Sequence, residues 1–159
     1  MTEKMEMAAI GRRAFVRLAG GGAAAFVTTA LLPNLAQADA KAVAEAIKKL
    51  IGDKKTKPGK ITMELPQIAE NGRTVPVAFE VTSPMTDSDY VKAVHLFADK
   101  NPRPDVATFR FTPASGKARV ATRMRLARTQ NVVAVAEMSD GTVYMAKSAV
   151  KVTIGGCGG

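Results

Sequence analysis

One residue in this chain stands out chemically, its single cysteine, Cys157, set in the terminal run Gly155-Gly156-Cys157-Gly158-Gly159. A thiolate is a nucleophile and a point of covalent attachment. The four glycines leave the backbone free and add no side chains. Extended residues advance about 3.3–3.6 Å each, so the thiol can project roughly 10 Å beyond the last strand. An arm this slim fits a narrow channel in another protein. No cationic side chain or helix N-terminus adjoins Cys157 in sequence, which makes it a modest nucleophile until a partner enzyme activates it.

Two bland readings compete. A free cysteine is commonly a buried, inert, small hydrophobe, but no hydrophobic residue follows Ile154 to bury this one. An odd cysteine in an exported protein can also pair between molecules, and that alternative stays open. The Gly158-Gly159 end is similar to sulfur carriers that form a terminal thiocarboxylate, but these need ATP-dependent activation, which export argues against. A stand-alone thiol peroxidase would need a thiolate stabilised by its own domain. An interaction module with an incidental thiol, binding through its open strands, is the rival from another class.

The remaining candidates carry less. With no second cysteine and a single histidine, no metal site of known spacing and no Ser/His/Asp or Cys/His set can be built. The expectation is a substrate holder that is not an enzyme and has no cofactor. His95 alternates with Val91, Ala93 and Phe97 and is assigned a packed, structural role. Arg119, Arg123 and Arg125 share a basic strand face that can attract anions, although charges alternate outward for solvation alone.

The elements that must position the cysteine begin after residue 38. Gly11-Arg12-Arg13-Ala14-Phe15-Val16-Arg17 is followed by the uncharged stretch Leu18 to Leu32 and then Ala36-Gln37-Ala38, the order of a signal peptide. The paired arginines and weakly hydrophobic Gly/Ala/Thr composition predict a twin-arginine signal over 1–38 and a periplasmic location. That stretch of 15 residues is too short for a permanent membrane anchor, since a spanning helix needs about 20. Twin-arginine substrates cross folded, which points to a bound partner. Cleavage after Ala38 removes four of 23 basic and two of 14 acidic residues, leaving 19 − 12 = +7. Such a field steers small anions or an acidic protein, and export disfavours nucleic acid.

The apolar positions Val43, Ile47, Leu50 and Ile51 predict a short amphipathic helix over 39–53, capped by Asp39 and stopped by Gly52. Lys54 to Lys60 reads as a solvated linker. Seven strands are expected over 54–154: Ile61–Leu65, Val75–Thr82, Tyr90–Ala98, Val106–Thr112, Ala118–Leu126, Asn131–Met138 and Thr142–Ile154. Asn71-Gly72 predicts a hairpin turn between the first two, and Asp140-Gly141 a type I′ turn between the last two. These features predict an all-β fold, an immunoglobulin-like antiparallel β-sandwich with the helix to one side and a flexible arm at 155–159.

The chain resembles the thiosulfate-oxidation carrier family SoxY in its Gly-Gly-Cys-Gly-Gly end. Further similar stretches are Val81-Thr82-Ser83-Pro84-Met85-Thr86, Asp89-Tyr90-Val91, Lys100-Asn101-Pro102-Arg103-Pro104, Thr122-Arg123-Met124-Arg125-Leu126-Ala127 and Thr129-Gln130. The resemblance implies an immunoglobulin-like domain with a swinging arm. It implies that thiosulfate is joined oxidatively to Cys157 by a haem enzyme, that a hydrolase then releases sulfate, and that a dehydrogenase oxidises the remaining sulfane sulfur. It also implies a heterodimer with SoxZ and transient visits to SoxAX, SoxB and SoxCD or their equivalents.

Overall fold

A computed structural model describes the backbone of residues 34–154 and the side chains from Lys41 onward. The bulk of the expected signal peptide and the arm at 155–159 lie outside the described residues.

Helix α1 (Asn34–Ile51) stops where the chain meets Gly52, whose φ of 68° suits a glycine. Gly52 N–H donates to the Lys48 carbonyl at 2.9 Å, closing the last turn. Lys48 and Lys49 lie at the negative end of the helix dipole. The start differs from expectation. The helix begins five residues before Asp39, so Asp39 lies within it and is not its cap, and the Ala36-Gln37-Ala38 segment is helical. The apolar face is also narrower. Val43 and Ile51 are buried, Ile47 is partly so, and Leu50 is 47% exposed because it faces an open groove beside Pro104 and Asp105.

Nine strands follow: β1 (Thr56–Lys57), β2 (Ile61–Glu64), β3 (Ile68–Asn71), β4 (Val75–Val81), β5 (Val91–Ala98), β6 (Asp105–Arg110), β7 (Ala118–Met124), β8 (Gln130–Met138) and β9 (Val143–Ile154). One sheet has the order β1-β9-β8-β5-β6, with β3 also on β9, and the other is β2-β4-β7. The all-β, immunoglobulin-like sandwich is borne out. It is not purely antiparallel, because β1 and β3 both pair parallel with β9. β1 lies inside the expected linker.

Between the sheets lies the main core. Val75, Val77, Phe79 and Val81 of β4 meet Val94 and Leu96 of β5 and Val132, Ala134 and Ala136 of β8. Phe109 closes on Phe79 with ring centroids 5.5 Å apart. On the outer side of the larger sheet, Phe97, Val133, Val135 and Val143 pack under Val43 and Ile51 of α1. β5 and β8 are therefore covered on both faces, which is why their sequences run nearly continuously apolar. A bulge between Val91 and Ala93 puts Val91 into the sandwich core, separating it from the His95 and Phe97 face expected for it.

Both turn expectations need correction. β2 and β4 do pair antiparallel, from Ile61↔Val81 to Glu64↔Ala78, but the segment between them leaves to form β3. Neither Asn71 nor Gly72 has positive φ; the Asn71 side chain instead accepts the Arg73 N–H at 2.9 Å. At the β8–β9 turn only Gly141 has positive φ (82°), with Gly141 N–H donating to Met138 O and Met138 N–H to Thr142 O. That is a three-residue loop with a glycine bulge, since a type I′ turn needs positive φ at Asp140 too.

Candidate functional site

Cys157, Gly155, Gly156, Gly158 and Gly159 all lie outside the described residues; what the structure describes is the strand that leads into them. β8 ends its ladder with β9 at Gln130↔Val150, so Lys151–Ile154 run on alone beyond it. Unbraced, these four residues would fray. β3 supplies the missing neighbour, pairing Ile68↔Lys151, Ala69↔Val152 and Asn71↔Ile154. Gly72 N–H donates to Ile154 O at 2.9 Å, and Thr153 Oγ1 donates to Glu70 O at 3.0 Å. On the opposite edge Thr129 replaces a strand residue. Its hydroxyl accepts the Val152 N–H at 2.9 Å and donates to Val152 O at 3.2 Å.

The loops around this root are tied together by side-chain amides. Asn101 Nδ2 donates to Arg125 O at 2.8 Å, while Asn101 Oδ1 accepts the Ala127 N–H and Gln130 Nε2, each at 2.9 Å. Gln130, buried to 3% exposure, accepts the Lys100 N–H at 2.8 Å. Asp99 takes both the Asn131 N–H and Nδ2, and Leu126 N–H donates to Gly72 O at 2.7 Å. The β3–β4, β5–β6 and β7–β8 connections are thus joined to the end of β9, and among the described residues no buried side-chain nitrogen or oxygen lacks a hydrogen-bond partner. The strand that leads toward Cys157 is therefore held on a hydrogen-bonded root as far as Ile154.

Asn101, Thr129 and Gln130 were legible only as parts of stretches similar to a family; their bracing role has no signature in sequence spacing. The other sequence candidates fall as follows. His95 is buried, with Nδ1 2.9 Å from Thr108 Oγ1 and Nε2 2.8 Å from Glu137 Oε1, which links β5 to both neighbouring strands in the packed role expected. Arg119, Arg123 and Arg125 are exposed. Arg119 pairs loosely with Glu80 at 3.4 Å and Glu64 at 3.9 Å, a solvated arrangement worth about 0–1 kcal/mol. Arg123 and Pro76 flank an open hollow at Ala121 and Thr122 on the smaller sheet, while Arg125 belongs to the root loops, so the three do not act as one site. Among the described residues, no group of three or more His, Cys, Asp or Glu is placed to hold a metal ion.

Two sheets over one apolar core, with a last strand braced on both edges as far as Ile154, define an immunoglobulin-like sandwich, and the sequence sets a glycine-flanked cysteine three residues beyond that strand. The model of the family "Sulfur oxidation protein SoxY" matches residues 47–157. The chain belongs to the SoxY family, and the match extends through Cys157. The sulfur carrier protein SoxY from Chlorobium limicola f thiosulfatophilum has a similar solved structure. It is 34% identical, with a TM-score of 0.62 over 72% of this chain and 99% of that one. Superoxide reductase (neelaredoxin) from Ignicoccus hospitalis shares the fold alone, at 19% identity and TM-score 0.53, covering 71% of this chain and 91% of its own. Superoxide reductase from Nanoarchaeum equitans does likewise, at 13% identity and TM-score 0.51, covering 61% and 99%. A search of curated proteins found no match.

Proposed function

We propose that this protein is a periplasmic, non-catalytic carrier of thiosulfate oxidation, holding sulfur intermediates covalently on Cys157. The observation that carries this reading is the family match running through Cys157, three residues in sequence beyond a strand that Thr129 and β3 brace. A carrier needs this division. The tail must enter several active sites, while the domain must not unravel as it does so.

The chemistry balances with the enzymes supplying redox and hydrolysis. The Cys157 thiol and the outer sulfur of thiosulfate form a disulfide-type S–S bond, losing one proton and two electrons to a haem enzyme of the SoxAX type. Water then cleaves the bond between the terminal sulfonate and its sulfur; SoxB would release sulfate and one proton and leave a persulfide on Cys157. A dehydrogenase of the SoxCD type takes six electrons from that sulfur and adds three water oxygens, after which a second hydrolysis frees the thiol. Throughout, the carrier contributes covalent tethering and no acid–base group. SoxZ is the proposed heterodimer partner, and a folded pair sharing the single twin-arginine signal at 1–38 accounts for that export route.

The test is intact mass spectrometry of the protein from its native exported fraction, with and without thiosulfate and reductant, with adducts mapped by peptide. Reductant-labile sulfur or thiosulfonate adducts on Cys157, and an N-terminus near Asp39, are expected. Cys157→Ser should abolish adducts and support of thiosulfate oxidation while leaving the fold intact. Undiminished oxidation with the serine variant would refute the carrier reading and favour an interaction module.

A further inference from the structure

The connections at the arm end of the sandwich, 70–74, 99–104, 125–131 and 151–154, carry six basic residues: Arg73, Lys100, Arg103, Arg125, Arg128 and Lys151. Against them stand only Glu70 and Asp99, giving 6 − 2 = +4. Asp99 is buried, with both oxygens bonded to Asn131. At the opposite end, the connections 52–60, 82–90, 111–117 and 139–142 carry Lys54, Lys55, Lys57, Lys60 and Lys117. Asp53, Asp87, Asp89 and Asp140 interleave with them, giving 5 − 4 = +1. The positive field therefore concentrates where the chain leaves the domain.

These charges are held on a stiff frame, since Gly72 is bonded to both Ile154 and Leu126, and Asn101 to Arg125. Arg73, Arg103, Arg125 and Lys151 are exposed, and among the described residues none is in a salt bridge. Cys157 lies three residues past Ile154, a span of at most roughly 10 Å. When its thiol enters another protein's channel, the surface around Ile154 must come within that distance of the buried reaction centre. The arm-end loops must then lie against the channel mouth.

We infer that these loops form a basic docking collar for an acidic rim around the channel of a partner protein. This rests on the carrier reading above. Opposite charges across the contact accelerate encounter and orient the tail toward the opening, without requiring tight binding that would slow its release to the next enzyme. The collar is the part of the contact that differently specialised partners can share.

The test measures the second-order rate at which the haem enzyme loads thiosulfate onto Cys157 of the folded exported protein. Salt is raised from about 20 to about 300 mM, where the Debye length shrinks from roughly 20 Å to roughly 6 Å. The wild-type rate should fall about tenfold over that range, and Arg73→Glu/Arg125→Glu should lose about tenfold at low salt and most of its salt dependence. Arg103→Glu, at the tip of the β5–β6 loop, should show a smaller loss in the same direction and guards against misfolding of the double variant. Lys54→Glu/Lys117→Glu, at the far end, should behave as wild type. Equal losses from both ends, or no loss from the collar variants, would overturn the inference while leaving the carrier reading intact. So would a collar variant that slows reaction of the thiol with a small anionic disulfide, relative to a neutral one, yet is loaded normally by the enzyme. If the wild type is never loaded, both readings fall together.

Discussion

Removing Asn101 should cost far more than its position at the head of an exposed loop suggests. Its amide makes three hydrogen bonds, to Arg125 O, the Ala127 N–H and Gln130 Nε2, at 2.8–2.9 Å. A net hydrogen bond contributes about 0.5–1.5 kcal/mol, and a buried donor left without a partner costs about 1–3 kcal/mol. Gln130 is 3% exposed, so its Nε2 would meet the larger penalty, whereas water can reach part of the loop around Arg125 and Ala127. Asn101→Ala should therefore destabilise by about 2–4 kcal/mol. With a urea slope of about 1.5 kcal/mol per M, the midpoint should drop by roughly 1.3–2.7 M at unchanged slope. Asn101→Asp keeps the oxygen that accepts from Ala127 and Gln130 but turns a second oxygen toward the Arg125 carbonyl, so about half the loss should remain. Urea unfolding followed by far-UV circular dichroism, with hydrogen exchange at the Leu126 amide as a local probe, measures both. A loss below about 1 kcal/mol for Asn101→Ala would refute the argument that this network ties the root loops together.

Two further predictions concern the strand that leads to the arm and the turn at its start. Thr129→Val, close to isosteric, should lower protection of the Val152 amide about five- to tenfold in hydrogen exchange and leave the Ala136 amide unchanged; equal protection would show that the hydroxyl does not brace β9. At the β8–β9 turn, hydrogen bonds from the Thr142 N–H and hydroxyl, then Lys60 and Lys57, hold the Asp140 carboxyl below its ordinary value of 3.8. Its contribution to stability is present above that value and lost as pH falls through the lower folded-state value. The stability gap between wild type and Asp140→Asn should accordingly be constant near neutrality and narrow once pH falls below 3.8; a gap independent of pH would refute the assignment.

The sequence by itself was enough for the alternation that makes β4 and β7 strands, because each buries one face and leaves the other in water. It also determined the helix stop at Gly52, a local matter of backbone freedom, and the glycine-flanked cysteine whose chemistry defines the candidate site. Only the tertiary structure decided the rest. β1 and β3 are two and four residues long, and their partner β9 is some 80 residues away, so no local period announces them. Asn71-Gly72 has the composition of a hairpin turn, but the neighbouring chain is drawn to the open edge of β9, where its backbone groups find partners. The bulge at Val91 and the exposure of Leu50 depend on what packs opposite each residue. The same holds for the root of the arm. Asn101, Arg125, Gly72 and Ile154 meet through contacts spanning tens of residues, and such convergence is a property of how the sheets close, which no segment of the chain carries alone.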